Sequence, residues 1–164
     1  MIAENLAPLA VDIDSVKLDA RNARKHPKPN LDALKKSLES YGQRKPIVVN
    51  KKTMTIEAGN GLWQAAKELG WAQIAVVFVE DDKETAQAYS LMDNQSALLA
   101  EYDFPLLKDI LLELDTGAMD MGLTGFSDKD IEELMNQFYM PKEEPEFDEN
   151  IETKNKCPKC GYEW

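Results

Sequence analysis

The sequence predicts an α+β fold carrying a helical extension. Two observations set this reading. Within the first eighty residues, short β-branched runs bounded by turn residues alternate with helical apolar stripes; beyond Asp81 every apolar pattern has a helical period.

The first strand is expected over Val11–Leu18, where apolar residues alternate at 11 and 13. A basic, proline-bearing loop follows from Arg21 to Pro29. Asn30 then reads as the N-cap of a helix with Leu31, Leu34, Leu38 and Tyr41 on one stripe, and Gly42 as its stop. Ile47–Val49 and Met54–Glu57 form two strands across a Lys-Lys turn. Ala58-Gly59-Asn60-Gly61 is a tight turn into a helix that buries Leu62, Ala65, Ala66 and Leu69 and ends at Gly70. Ile74–Val79 is nearly continuous and β-branched, a buried strand. Helices are expected from about Lys83 to Leu99, Pro105 to Thr116 and Asp128 to Phe138, the last introduced by a Ser127/Asp130 capping signature. Residues 1–82 are therefore one α/β domain, 83–139 a helical extension, and 140–164 an acidic, proline-bearing linker, expected to be mobile, with a cysteine tail.

Composition narrows the class. An apolar share of 43% suits an ordinary folded chain. The apolar runs are far short of the roughly 20 residues that cross a bilayer. The N-terminus carries Glu4 and lacks a basic start, so it does not read as a secretory signal, and a cytoplasmic protein is expected. Both cysteines sit at the C-terminal end, which leaves no disulfide framework for the body.

The net charge of −11 conceals an asymmetry. From Lys17 to Lys52 there are 11 Lys/Arg against Asp19, Asp32 and Glu39, a local charge of +8. From Glu80 to Glu152 there are 21 acids against four lysines, a local charge of −17. The basic segment 17–52 is thus the candidate DNA contact, although two solvated faces would give the same count. The acidic half could dock a basic partner or mimic DNA.

Chemistry points first to Gly59-Asn60-Gly61. A strand ending in glycines that open a helix leaves backbone N–H groups at the positive end of the helix dipole, an arrangement that attracts phosphate. The two glycines would let backbone approach a ligand closely, but a turn of this kind also serves structure alone. Arg24, His26, Arg44 and Lys45 are the nearest neutralising groups, and Glu57, at the strand end, could help hold Mg²⁺. No nucleophile–base pair stands out. At the C-terminus, Cys157-Pro-Lys-Cys160-Gly161 has the spacing of half a zinc knuckle. Two subunits sharing one ion, a partner completing the site, or a remnant all fit that pattern.

Several motifs occur in fixed order: Asn22-Ala-Arg24-Lys-His26, Gly42-Gln-Arg-Lys-Pro46-Ile-Val-Val49, Ala58-Gly59-Asn60-Gly61 with Ala65-Ala66 and Leu69-Gly70, then Leu91-Met-Asp93-Asn94 and Leu123-Thr-Gly125-Phe126. Over roughly residues 8–138 this order resembles the ParB/sulfiredoxin-like family, specifically ParB-like N-terminal domains of phage and mobile elements, often fused to or encoded near DNA methyltransferases. The resemblance implies a small mixed sheet with flanking helices and a nucleoside triphosphate, ATP or CTP with Mg²⁺, held at Gly59–Gly61 beside the Gly42–Pro46 turn. It also implies a DNA-associated accessory role; the acidic half could dock a methyltransferase or another phage protein, and a homodimer bridged by zinc at Cys157 and Cys160 is one assembly the sequence allows. Members include DNA clamps that hydrolyse CTP, sulfiredoxins, a free-serine kinase and proteins described as nucleases.

Two departures matter. Leu62 stands at or next to the place where an arginine usually follows the turn, and Lys45 replaces a glutamine before the proline. Loss of a phosphate-gripping arginine implies weak hydrolysis at most, or a non-enzymatic interaction module with a degenerate site. The turn lacks the cysteine of a sulfiredoxin, and no acidic cluster of a nuclease is recognisable. No helix-turn-helix with a basic recognition helix is legible after the domain, which argues against chromosome partitioning.

Overall fold

The computed structural model describes residues 1–138 and 155–162. Four strands form one sheet: β1 (Ala10–Asp12), β2 (Ile47–Asn50), β3 (Thr55–Ala58) and β4 (Gln73–Val79). Their order is β1-β4-β2-β3, with β2 parallel to β4 and the other two pairings antiparallel. Between them lie α1 (Lys28–Tyr41) and α2 (Asn60–Glu68). They are followed by α3 (Lys83–Leu99), α4 (Phe104–Leu114) and α5 (Asp128–Gln137). The expected α+β class with a small mixed sheet is what the chain adopts.

The core lies between the sheet and the α1–α2 pair. Ile47 and Val49 of β2, Ile56 of β3, and Ile74 and Val76 of β4 meet Leu38 of α1 and Ala65 and Ala66 of α2, all essentially excluded from solvent. The two alanines let α2 lie close to the sheet, and apolar area removed from water supplies the driving force. Gln43 is just as deeply buried, but by pairing. Its side-chain amide nitrogen donates to the carbonyls of Ala75 (2.9 Å) and Lys45 (3.0 Å), and its oxygen accepts from the Ala75 N–H at 2.7 Å.

Two elements differ from the sequence reading. The first strand is three residues long, not eight. The Asp12 carboxylate accepts from the Asp14 N–H at 2.7 Å and the Ser15 hydroxyl donates to the Asp12 carbonyl at 2.6 Å, which turns the chain into a short 3-10 segment, Ile13–Ser15. Beyond it Lys17 rejoins the sheet at the opposite edge, donating to Met54 (3.0 Å) and accepting from Ile56 (2.9 Å). Residues 10–17 therefore span the sheet from β4 to β3. The second difference is the start of α1, where Pro27 rather than Asn30 is the N-cap. Proline at the first helical turn costs no hydrogen bond, and Asn30 is freed to bond the ring of His26.

The second half is more open. α3 follows the expected bounds, with Asp82 capping the Thr85 N–H at 2.7 Å, yet it buries no residue fully. α4 is held by Leu111 and α5 by Leu134. Ser127 and Asp130 form the expected reciprocal capping box, with N···O distances of 2.9 and 3.2 Å. The extension meets the first half where the Tyr41 hydroxyl donates to the Leu123 carbonyl (3.2 Å) and Lys36 pairs with Asp120 (2.9 Å). The linker expected at 140–152 lies outside the described residues.

Candidate functional site

Gly59 ends β3 with φ of 97° and serves as the N-cap of α2. The first intrahelical bond is donated by Trp63 to the Gly59 carbonyl, and no side chain caps the preceding N–H groups. These groups open into a cleft of about 250 Å³. Its walls come from three directions: the loop and start of α1 (Asn22, Arg24, His26, Asn30, Leu34), the strand–helix turn (Glu57 to Leu62), and α3 (Asp93, Asn94).

The turn and Arg24 are brought together as the sequence suggests. The Arg24 guanidinium reaches Asn94, 3.2 Å from its side-chain oxygen, so one flank of the cleft is tied across 70 residues. His26 shares a hydrogen bond with Asn30 through Nδ1 at 2.8 Å. Asn60 is buried, and its side-chain oxygen has no partner. A buried acceptor without a partner is costly, so this oxygen is open to a hydrogen-bond donor.

A Cβ on Gly59 would stand 2.5 Å from Cγ2 of Ile47, and one on Gly61 would stand 2.7 Å from the His26 ring. At both positions the protein's own side chains leave no room for a Cβ.

Arg44 and Lys45 do not join this cleft. They line an adjoining one of about 280 Å³ with Ser37, Leu38, Tyr41, Gly42 and Gln43. Arg44 is held there by a 3.2 Å bond from Nε to the Tyr41 carbonyl, with its guanidinium over the Tyr41 ring. Leu62 lines both clefts and is the apolar ridge between them. Each cleft alone falls just below the roughly 300–1,000 Å³ usual for small-molecule sites, so a ligand the size of a nucleotide would cross that ridge.

Glu57 lines the cleft from the end of β3. One carboxylate oxygen accepts from Asn50 at 2.9 Å, and the same amide nitrogen donates to the Asp81 carbonyl at 3.0 Å. The second oxygen is buried without a partner. Burial pushes this carboxyl above the ordinary range, opposed by the Asn50 bond and reinforced by Asp81 and Asp19. Asp93, exposed on α3, is the acid that faces the cleft openly. Asp93 and Asn94 belong to the Leu91-Met-Asp93-Asn94 motif, whose sequence carries no sign of a site; only the approach of α3 to β3 brings them opposite α2.

The basic segment 17–52 is partly neutralised. Lys35 lies between Asp32 (2.9 Å) and Glu68 (2.8 Å), which pushes its pKa up to about 12, and Lys28 pairs with Asp32 at 2.5 Å. Lys51 faces Glu80 at 3.4 Å. The cysteine pair lies apart from both clefts in the sequence, and no group of three or more potential metal ligands occurs among the described residues. Among those residues no helix is long and apolar enough to cross a membrane.

Comparison with known proteins places these features. Residues 3–95 match the model of the ParB N-terminal domain, and residues 105–159 that of the ParB-methyltransferase HTH domain. The second match corrects the reading that no helix-turn-helix follows. That reading sought a basic recognition helix, whereas α5 carries Asp128, Asp130, Glu132 and Glu133 against Lys129. No curated protein matches the chain in sequence. Among solved structures, the C-terminally truncated chromosome-partitioning protein ParB from Caulobacter crescentus, complexed with CTP-gamma-S, is similar at 18% identity. Its TM-score is 0.64, with 82% of this chain and 79% of that one covered. The same protein complexed to the centromeric parS site aligns at 19% identity and a TM-score of 0.45, over 80% and 72% of the two chains. A Pnob8-like ParB-N domain aligns at 18% and 0.45, over 66% and 47%. With more than half its length matched, the chain belongs to the ParB N-terminal domain family.

Proposed function

We propose that the chain is a nucleotide-binding, DNA-associated ParB-like protein whose triphosphate site is the cleft at the N-terminus of α2. The carrying observation is the uncapped start of that helix, facing Arg24 on one side and Asp93 and Asn94 on the other. Free N–H groups and the helix dipole suit phosphate oxygens, and Arg24 adds the full positive charge. The fold-level likeness to a ParB crystallised with a CTP analogue favours CTP over ATP. The donor set also fits a magnesium–nucleotide complex, since Asp93 supplies an exposed carboxylate while Glu57 is committed to Asn50. Bound there, Mg²⁺ would neutralise phosphate charge.

Hydrolysis at this site is slow. Leu62 places a hydrocarbon ridge beside the phosphate-binding turn, and Arg44 and Lys45 lie beyond it, so Arg24 is the chief cationic group in the main cleft. DNA is met through the helix-turn-helix region, with phosphate charge supplied by the loop from Arg21 to Lys28, because α5 is itself acidic. The acidic helices suit a basic partner, and a DNA methyltransferase accords with the matched domain's description.

Calorimetric titration of the full chain with CTP and with ATP, each with Mg²⁺, tests this reading. Saturable CTP binding that weakens in Arg24→Ala is expected; absence of binding to either at millimolar concentration refutes it. The apolar Leu62 ridge favours a second reading, a non-enzymatic module. In that case DNA binding depends steeply on salt and is indifferent to nucleotide.

A further inference from the structure

A third cleft, of about 260 Å³, lies between the end of the β2–β3 pair and the first turns of α3. Asp19, Asn50, Glu57, Asp81, Ala86 and Gln87 are among its walls. Asn50 is buried and fully engaged. Its oxygen accepts from the N–H groups of Lys52 (3.1 Å) and Thr53 (3.3 Å), and its nitrogen donates to Glu57 (2.9 Å) and to the Asp81 carbonyl (3.0 Å). Glu57 is only 5% exposed, and its second carboxylate oxygen has no partner. The carboxyl is turned to this side. Asn50, which binds one oxygen, and Asp81 and Asp19, whose charges act on it, line this cleft and not the nucleotide cleft. Asp19 and Asp81 are half-buried, and among the described residues none of the three carboxyls has an ion-pair partner. Arg21 and Lys83, the cations on the same walls, are exposed and bridge to none of them.

We propose that this cleft binds a guanidinium group, accepted by the free oxygen of Glu57 and by the carboxylates of Asp81 and Asp19. A buried acceptor without a partner calls for a hydrogen-bond donor, and three neighbouring carboxyls call for one that carries positive charge. The acids do not converge on a point, since no group of three or more potential metal ligands occurs among the described residues. A small ion such as Mg²⁺ or Ca²⁺, which needs its oxygens at about 2.0–2.6 Å, is therefore poorly served. A guanidinium is planar, carries N–H donors around its whole rim and can engage separated carboxylates at once. It is also more weakly hydrated than an ammonium, so it enters a half-buried site at lower cost. Ala86 and the methyl groups of Thr53 and Thr55 offer apolar surface to an alkyl stem. Glu57 is a wall of both this cleft and the nucleotide cleft. Binding here does not depend on the nucleotide reading, because Asp19, Asn50 and Asp81 line only this one of the two.

Calorimetric titration of the full chain at low salt tests this with agmatine and with tripeptide amides whose central residue is arginine, lysine or citrulline. Saturable binding of agmatine and the arginine peptide is expected. The lysine peptide should bind at least about tenfold more weakly, and the uncharged citrulline peptide should be silent. Tighter binding of the arginine peptide than of agmatine assigns the site to an arginine side chain of a partner; the reverse assigns it to a free small molecule. Glu57→Gln and Asp81→Asn should each weaken binding about tenfold or more, while Arg24→Ala and Asp93→Asn, in the nucleotide cleft, leave it unchanged. Both weakening variants keep the contacts to Asn50, because glutamine retains an acceptor and Asp81 meets Asn50 through its backbone. Unchanged unfolding midpoints in Asp81→Asn separate lost binding from lost fold. No saturation by agmatine or the arginine peptide up to about 10 mM, equal binding of the citrulline peptide, or indifference to both Glu57→Gln and Asp81→Asn would each overturn the proposal.

Discussion

Arg24 and Asn94 meet across the mouth of the cleft, the guanidinium 3.2 Å from the amide oxygen of a residue one helix beyond the sheet. The contact is exposed, so its worth to stability is small, roughly 0–1 kcal/mol. Its worth to a bound phosphate is larger, since hydrogen bonds to charged groups bring about 1.5–3 kcal/mol. Arg24→Ala should therefore weaken nucleotide binding roughly ten- to a hundredfold with almost no change in the unfolding midpoint. A parallel loss of stability in denaturant melts would mean that the arginine is structural.

Gly59→Ala is predicted to destabilise the chain by about 2–4 kcal/mol, through backbone strain at a left-handed position and overpacking against Ile47. Chemical denaturation measures it directly. Ile47→Val in the same chain should recover only part of the loss, because the strain term remains; full recovery would contradict that division.

Gly61→Ala presses on the His26 ring instead. A side chain can move where backbone cannot, so the fold should survive while the His26–Asn30 bond breaks. Adding His26→Ala should restore whatever nucleotide affinity the single variant loses. Binding measured for the three variants decides the matter, and a loss that persists in the pair would place the obstruction elsewhere in the cleft.

Glu57 carries a pH dependence of definite sign. Its folded-state pKa lies above the ordinary carboxylate value because the site is buried. The protonated form is thus favoured by folding, and the penalty for the charge grows as pH rises from the unfolded pKa through the folded one. Glu57→Gln, which keeps an acceptor for Asn50, should raise the thermal midpoint near neutral pH and lose that advantage below about pH 4. Melting curves across this range test it; an advantage that is constant with pH would point to packing instead.

Gln43→Ala should cost at least about 3 kcal/mol, since it strands the buried N–H and carbonyl of Ala75 and leaves a cavity. Hydrogen exchange at Ala75 should then approach that of exposed amides.

Local signals were readable wherever the physics was local. The bounds of α3, the Ser127–Asp130 capping box and the stop at Gly42 follow from residues within a turn of one another. The glycine-bearing turn and Arg24 are legible as candidates because a helix N-terminus and a cation each have a signature of their own. What escaped depended on distant parts of the chain. The Asp12 turn that ends β1 competes with an alternation pattern that a strand would also satisfy. Leu62 divides Arg44 and Lys45 from the cleft only once α1 and α2 are packed. Asp93 reaches the site through the docking of α3, and Gln43 reads as a loop residue until Ala75 is seen beside it.

The segment from Ala10 to Lys17 has a consequence for how copies of this chain can meet. Exposed strand edges invite intermolecular pairing, and proteins blunt them by keeping outer strands short. Here one stretch lies along both margins, as a three-residue strand on β4 and as a single bridge on β3. Little unpaired backbone is left as a template for growth, so aggregation through the sheet is discouraged from within the chain. Ordered assembly is left to the helices, where contact can form without putting the sheet at risk.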